Sequence, residues 1–418
     1  MGKSENVETY KNVAEYIKSE EVEINDLGKY DLINDTQKFK TGNGQEFVEI
    51  TNPYERFFIY KYEKSSNKTK IKEMIDKACN EEIKLPEEWK KEWQEKWKEE
   101  WKEEQQEKWL KERQEEWRKK SEIFNGKLDR YQIGDPDLES TLLQMVYKEL
   151  WPDLAKLDFV FDGAWIGSDA MTSVHDRFKD AMTTIKNNGK EQWIEDGDPD
   201  LEQLLKQIWV IYGVLKVECS SQHWWTILFT IVVAATLGED FYKLIDREYY
   251  YIKSFIKKCF TIGNYCAVPK GFNRARSGDG DAIHDYWDLT LQKIYEWYKA
   301  ESEKRKDECL KKLLHNEGNF DNCKEWLKWF EENGKRKEIS GWRNFIDTLF
   351  LQDYVIDAEH EDYRPKPFWI GHSWENPKMP EDPIEIDICL QEISRRITAR
   401  SKRIIEALKN QQIKKEQQ

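Results

Sequence analysis

The sequence predicts a mainly α-helical protein with a small β component: an α+β chain whose helical core carries a long, charged, tryptophan-rich helical insertion. Three observations predict it. Apolar residues recur at helical spacing through most of the chain after Gly134. The stretch EEWKKEWQEKWKEEWKEEQQEKWLKERQEEW, Glu87 to Trp117, places Glu four residues before Lys again and again. Alternation of β-branched and aromatic residues, the mark of strands, is confined to short runs. On composition the chain divides into a small N-terminal α+β part at 1–85, a charged helix at 86–122 and a mainly helical core domain at 123–418.

In the N-terminal part, QEFVEITNPYERFFIYKYEK reads as two strands joined by the TNPY turn. Pro86 then suits the first turn of a helix. Tryptophans at 89, 93, 97 and 101 follow a four-residue repeat, which drifts about 40° per step around a helix axis, so they form no single straight stripe. Pairs such as Glu104 with Lys108 and Glu115 with Lys119 each add a few tenths of a kcal/mol, and the segment supports itself as a helix. Units such as EEWK and EKWK look like copies of one short repeat, which favours a low-complexity insertion. The alternative is a helix that binds a protein partner, or lies at a lipid interface, through 87–120.

Two stretches begin alike, GDPDLESTLLQMVYKEL at Gly134 and GDPDLEQLLKQIWVIYGVL at Gly197. Each offers Asp as N-cap, Pro at the first helical position and an acidic first turn. Further helices are expected at about 171–186, 223–259 with a break near Gly238, 284–314, 320–333, 341–357 and 385–409. TIGNYCAVP reads as a short strand entering a loop, and YRPKPFWIGHSWENPKMPEDP as an extended, Pro-rich connection.

The whole chain has 418 residues, a net charge of −14 and 35 % charged residues, which disfavours global attraction to nucleic acid or anionic membrane. Its 19 Trp argue against disorder. Seven cysteines form no CxxC pair, and an odd number suits reduced thiols in a cytoplasmic protein. MGKSENVETY has no apolar run for a signal peptide, and Asn6 stands where a myristoylation signal needs Ser or Thr. The longest apolar run, Trp224 to Gly238, is too short to span a bilayer, so no membrane partner is expected.

Chemistry concentrates in the loop from Gly263 to Asp288. Arg274 and Arg276 have the fork geometry for a phosphate, with Asn264 and Asn273 as further ligand-binding candidates. His284, Asp285 and Asp288 are the acid–base candidates, joined by Asp169 of the turn GSDAMTS. The bland alternatives are an ordered connection for the loop and an N-cap for the turn. If the two clusters share a pocket, its ligand is a phosphate-containing molecule or nucleic acid. No metal site is expected: neither Cys309, His315 and Cys323 nor Cys259 and Cys266 have zinc-finger spacing. No P-loop, GxSxG or HExxH is present, and the WPD at Trp151 to Asp153 lacks the Cys–Arg signature of a phosphatase. No cofactor is implied. The C-terminal RRITARSKRIIEALKNQQIKK carries eight basic residues and one acidic one, suited to phosphates or, as we prefer, to the acidic surface of its own protein.

Taken in order, SDAMTS, TIGNYCAVPKGFNRARS, DYWDLTLQKIYEWY and FIDTLFLQDYV resemble a bacterial family known only as a domain of unknown function, with the pattern SD…TIGN…P…N…R…D…DLTL…FLQD over roughly 140–405. The resemblance implies that Asp169, Asn264, Pro269, Asn273, Arg276, Asp285 and Asp288 belong to a shared pattern, and it implies no reaction. One departure is Tyr286, which stands where the family has Arg. Arg276 with His284 resembles the Arg-to-His motif of HEPN ribonucleases at a longer spacing. IGNYCAVPKGFN resembles a segment of some HNH-type nucleases, without their metal-binding His motif. Two functional expectations follow: a nucleic-acid or nucleotide-handling protein of defence or mobile-element type, or a non-catalytic interaction protein with a structural loop and a Trp-rich contact helix.

Overall fold

The computed structural model describes residues 13–19, 23–32, 37–39, 131–133, 140–154, 161–162, 165–166, 168–170, 250–269, 271–276, 286–314, 319–333, 340–356, 363–371 and 383–417, with isolated helical positions between 56 and 128. The chain forms two compact units whose segments interleave: 1–36, 134–174 and 254–418 build the first, 37–133 and 175–253 the second. The described residues are mainly helical, with short antiparallel strand pairs.

The first unit opens with α1 (Val13–Ser19) and a single 3-10 turn at Ile24–Asp26. In the second unit β1 (Gln37–Phe39) pairs antiparallel with β2 (Tyr131–Ile133), Lys38 opposite Gln132. Arg56 and Ile59 are helical. The expected second strand around them is therefore corrected. A short apolar run such as Phe57–Tyr60 fits a buried helix turn as well as a strand, and only the partner surface decides. Of the tryptophan stretch only Glu112 and Glu115 are described, both helical and exposed, and Glu115 pairs with Lys119 at 3.1 Å. The pair holds the exposed Glu115 carboxyl below its ordinary range. The tryptophans from 89 to 117, the second GDPD start and the helices expected at 171–186 and before 250 lie outside the described residues.

In the first unit α2 (Thr141–Leu150) begins at Ser140, whose hydroxyl accepts the Leu143 N–H at 3.1 Å. The cap of this helix is Ser140 and not the expected Asp135, since Ser and Asp compete equally for the position. Trp151 ends it and donates its indole N–H to the Thr348 carbonyl at 2.6 Å, so the WPD residue is a core anchor. Strands β3 (Phe161–Asp162) and β4 (Trp165–Ile166) pair with each other, and β5 (Ser168–Ala170) pairs with β6 (Tyr265–Ala267). Between them in sequence, α3 (Tyr250–Cys259) leads through a 3-10 turn at Ile262–Asn264 into β6.

After the short α4 (Phe272–Arg276), the expected helix over 284–314 is two helices, α5 (Trp287–Lys299) and α6 (Glu303–Leu313). Ala300 is extended and Ser302 caps α6 through the Arg305 N–H, which turns the chain back and lets the two helices pack. Helix α7 (Phe320–Asn333) matches its predicted span, and α8 (Gly341–Thr348) packs on it. Helix α8 stops well short of the expected 357. Leu351 N–H bonds the Ile346 carbonyl and Phe350 N–H the Asp347 carbonyl, a Schellman closure with Phe350 at φ 58°. Strands β7 (Val355–Ile356) and β8 (Arg364–Pro365) form a further pair. Helix α9 (Pro383–Glu416) is longer than expected and packs on the 262–264 turn and on α2.

The core of this unit is aromatic. Phe345 of α8 meets Trp326 and Phe330 of α7 with ring centroids 5.3 and 5.0 Å away, both edge-on, and stacks on Trp342 at 5.8 Å. Phe272 of α4 reaches Trp326 at 5.5 Å. Each such contact adds about 0.5–1.5 kcal/mol beyond the area it buries. Ion pairs close the rim between α6 and α7: Lys306 with Glu331, and Lys324 with Asp307.

Candidate functional site

The turn that ends α3 is built around two residues with little freedom. Asn264 is buried and its Nδ2 donates to the Cys259 carbonyl at 2.8 Å, which ties the turn to the last residue of α3. Gly263 lies so close to α9 that a Cβ there would collide with the Ile397 carbonyl and the Ser401 hydroxyl. The TIGN segment is thus shaped to receive a helix.

Strand β6 continues this turn and pairs with β5 in the register Ser168↔Ala267, Asp169↔Cys266, Ala170↔Tyr265. The backbones of the SD turn and the TIGN segment are neighbours. The side chain of Asp169 is not among the described residues, and neither are those of Asn273 and Arg274, although both lie in α4. His284 and Asp285 fall outside the described residues.

Arg276 closes α4 and is buried. Its Nη1 donates to Thr290 Oγ1 at 2.8 Å, and its guanidinium carbon lies 5.6 Å from the Phe272 ring and 5.7 Å from the indole of Trp287. Cation–π contact of this kind suits a weakly hydrated guanidinium. Asp288, at the second position of α5, is buried as well. Oδ1 accepts the Leu289 N–H at 3.0 Å and Oδ2 accepts the Phe368 N–H at 2.7 Å. The carboxylate of DLTL therefore fastens the Pro-rich connection to α5.

The same connection is held from its other side by α9. Arg396 donates to the carbonyls of Lys366 at 2.6 Å and Pro367 at 2.7 Å, pairs with Glu392 at 2.9 Å and stacks on Phe368 at 4.7 Å. Burial pushes the Glu392 carboxyl up, but Arg395, Lys366 and Arg396 together override it and hold it well below the usual carboxylate range. One turn on, Arg400 is fully buried. Its Nε donates to the Leu349 carbonyl at 3.0 Å and its Nη1 to those of Gly263 at 3.1 Å and Tyr265 at 2.7 Å. Asp353 of the FLQD segment takes Arg403 at 2.9 Å and Arg395 at 3.6 Å. Lys415 reaches Glu149 at 3.0 Å, and Lys409 meets Asn25. Most of the basic residues of α9 thus bond their own protein, while Lys402 and Lys414 are exposed.

Arg396 and Arg400 are buried although arginine is ordinarily a surface residue. A signal exists: both sit on the stripe of Cys389, Ile393, Ile397, Ile404 and Leu408, all of them buried. Burial lifts the Cys323 thiol to about 12 and raises the Tyr298 hydroxyl, which donates to the Leu327 carbonyl at 2.8 Å. Among the described residues no three His, Cys, Asp or Glu side chains converge as a metal-binding group. None of their helices is long and apolar enough to cross a membrane. The chain matches no family model, no curated protein and no solved structure.

Proposed function

We propose that this chain is a non-catalytic interaction protein: a rigid helical unit with a structural polar loop, joined to a charged, Trp-rich contact helix at 87–120. One observation carries the reading. Of the candidate phosphate-binding and acid–base side chains, the three that are described, Asn264, Arg276 and Asp288, are all buried and bond main chain or a neighbouring side chain. A reactive centre needs such groups turned toward a ligand. Most of the basic residues of α9, the other candidate for phosphate contact, are engaged with backbone carbonyls and with Glu392, Asp353 and Glu149. The exposed charges of Glu112, Glu115, Arg118 and Lys119 fit a helix that stands in water on at least one side.

The competing expectation, a nucleic-acid or nucleotide-handling protein using Arg274 and Arg276, is separable by one set of measurements. The melting temperature of the full chain is followed with ATP, with inorganic phosphate and with single-stranded DNA and RNA, for wild type and for Arg276→Lys. The interaction reading expects no ligand-induced shift in either protein and a lower melting point for the variant, because Lys cannot keep both the Thr290 bond and the flat ring contacts. A shift in wild type that Arg276→Lys removes overturns it. Proximity labelling with the full chain and with a chain lacking 87–120 tests the contact helix, whose loss is expected to remove the labelled neighbours.

A further inference from the structure

The outer surface of α6 and α7 carries charges that the fold does not use. Glu303 of α6 pairs with Lys328 of α7 at 3.0 Å and Asp307 with Lys324, so the two helices run antiparallel. Their apolar sides are buried, Leu310 and Leu313 on α6, Trp326, Leu327 and Phe330 on α7. Left over are Lys304, Glu308 and Lys311 on α6 and Glu325 and Glu332 on α7. All five are exposed, and none has an ion-pair partner among the described residues.

Their order is specific. Along α6 the signs run plus, minus, plus at 304, 308 and 311, with steps of four and three residues. Along α7, read backwards, they run minus, plus, minus at 332, 328 and 325, with the same steps of four and three. Residues at these steps share one face of a helix, and each row is about 10 Å long. Trp329, half-buried, stands four residues after Glu325 and three before Glu332, so it adds apolar area to the same face. Tryptophan in such a place is typical of protein interfaces. A nucleic-acid backbone would meet Glu308, Glu325 and Glu332 as like charges, whereas a partner with alternating signs would meet none. The chain itself carries that alternating partner. A two-fold axis parallel to the helices lays α6 of one copy antiparallel on α7 of another, and the reverse contact forms at the same time. In that alignment every plus faces a minus.

We propose that the outer face of α6 and α7 is a self-association surface, on which a second copy of this chain packs with Lys304, Glu308 and Lys311 of one copy opposite Glu332, Lys328 and Glu325 of the other. The inference goes beyond the proposed function, whose contact element is the helix at 87–120, and stands apart from it. Two helices offer little area and the net charge of −14 opposes association, so the dimer is weak and concentration-dependent.

The test uses the full chain. Sedimentation equilibrium over a range of concentrations is expected to show monomer and dimer together. Two doubly substituted chains then decide the surface: Lys304→Glu with Lys311→Glu, and Glu325→Lys with Glu332→Lys. All four positions are exposed, so both chains are expected to keep the wild-type circular dichroism and melting point. Each chain alone sets like charges opposite each other and is expected to dimerise at least about tenfold more weakly than wild type. Mixed in equal amounts, with one chain labelled, they are expected to associate at least as tightly as wild type, because each supplies the sign that the other has reversed. A wild-type chain that stays monomeric, variants that dimerise like wild type, or a mixture that fails to associate overturns the proposal. None of these outcomes bears on the labelling test of 87–120.

Discussion

Gly263 and Asp288 show how much a single position decides here. Gly263 is a matter of distance: α9 passes so close that any side chain at 263 meets main chain, which cannot swing aside as a flexible side chain would. Gly263→Ala is therefore expected to destabilise the protein by about 1–3 kcal/mol, read as a lower denaturant midpoint at unchanged slope. An unchanged midpoint would mean that the helix is free to retreat. The residue types at these positions were legible as polar or permissive, but not their direction. Asp288 attracted an acid–base reading because an Asp near a His looks reactive in one dimension. In space its Oδ2 is committed to the N–H of Phe368, a residue far along the chain. Nothing in the local sequence reports that distant N–H. Asn264 misleads for a simpler reason, since a side-chain amide serves a turn and a ligand equally well.

Among elements, the Pro-rich connection around 366–368 is the instructive one. It has no periodicity and few backbone bonds of its own, yet it is fixed from two sides, by Asp288 of α5 and by Arg396 of α9, with Lys366 and Arg396 sharing Glu392. Glu392 has a folded-state pKa below its unfolded value, so its stabilisation is fully present above the unfolded pKa of about 4.3 and is lost as pH falls toward the folded value. In wild type the stability is expected to decline below about pH 4.3, and in Glu392→Gln that part of the acid limb is expected to flatten while stability at neutral pH is lower. Denaturation measured across that range checks both limbs, and parallel acid limbs in the two proteins would remove Glu392 as the cause. Helix existence was largely readable from apolar spacing, as α7 and α9 show. Helix ends were not. The break between α5 and α6 rests on Ser302, and the stop of α8 on Phe350 in a left-handed conformation that usually selects glycine. Phe350 tolerates it beside Trp151, ring centroids 5.8 Å apart, a contact between segments that no local rule could anticipate.

At the level of the molecule, two units made of interleaved segments are invisible to composition, because a boundary in space need not be a boundary in sequence. The residues from 87 to 120 fall within the second unit, whereas the aromatic core of α4, α5, α7 and α8 belongs to the first. Deleting 87–120 is expected to leave amide exchange in α5, α7 and α9 as slow as in the intact chain. Rapid exchange of those helices in the deletion would tie the charged helix to their folding and undo its reading as an appended contact element. The mainly helical class with a minor strand content was legible from patterning alone. The short strand pairs were not, apart from β6, since stretches of two or three residues leave no alternation to detect.

The Arg400 clamp has a temporal side. Its guanidinium joins carbonyls at 262, 263 and 265 to a helix more than a hundred residues later, with separations of 138, 137 and 135 positions. During vectorial synthesis the TIGN turn leaves the ribosome long before the arginine that will hold it. Until then those carbonyls lack that partner, and the contact can close only after α9 has been made.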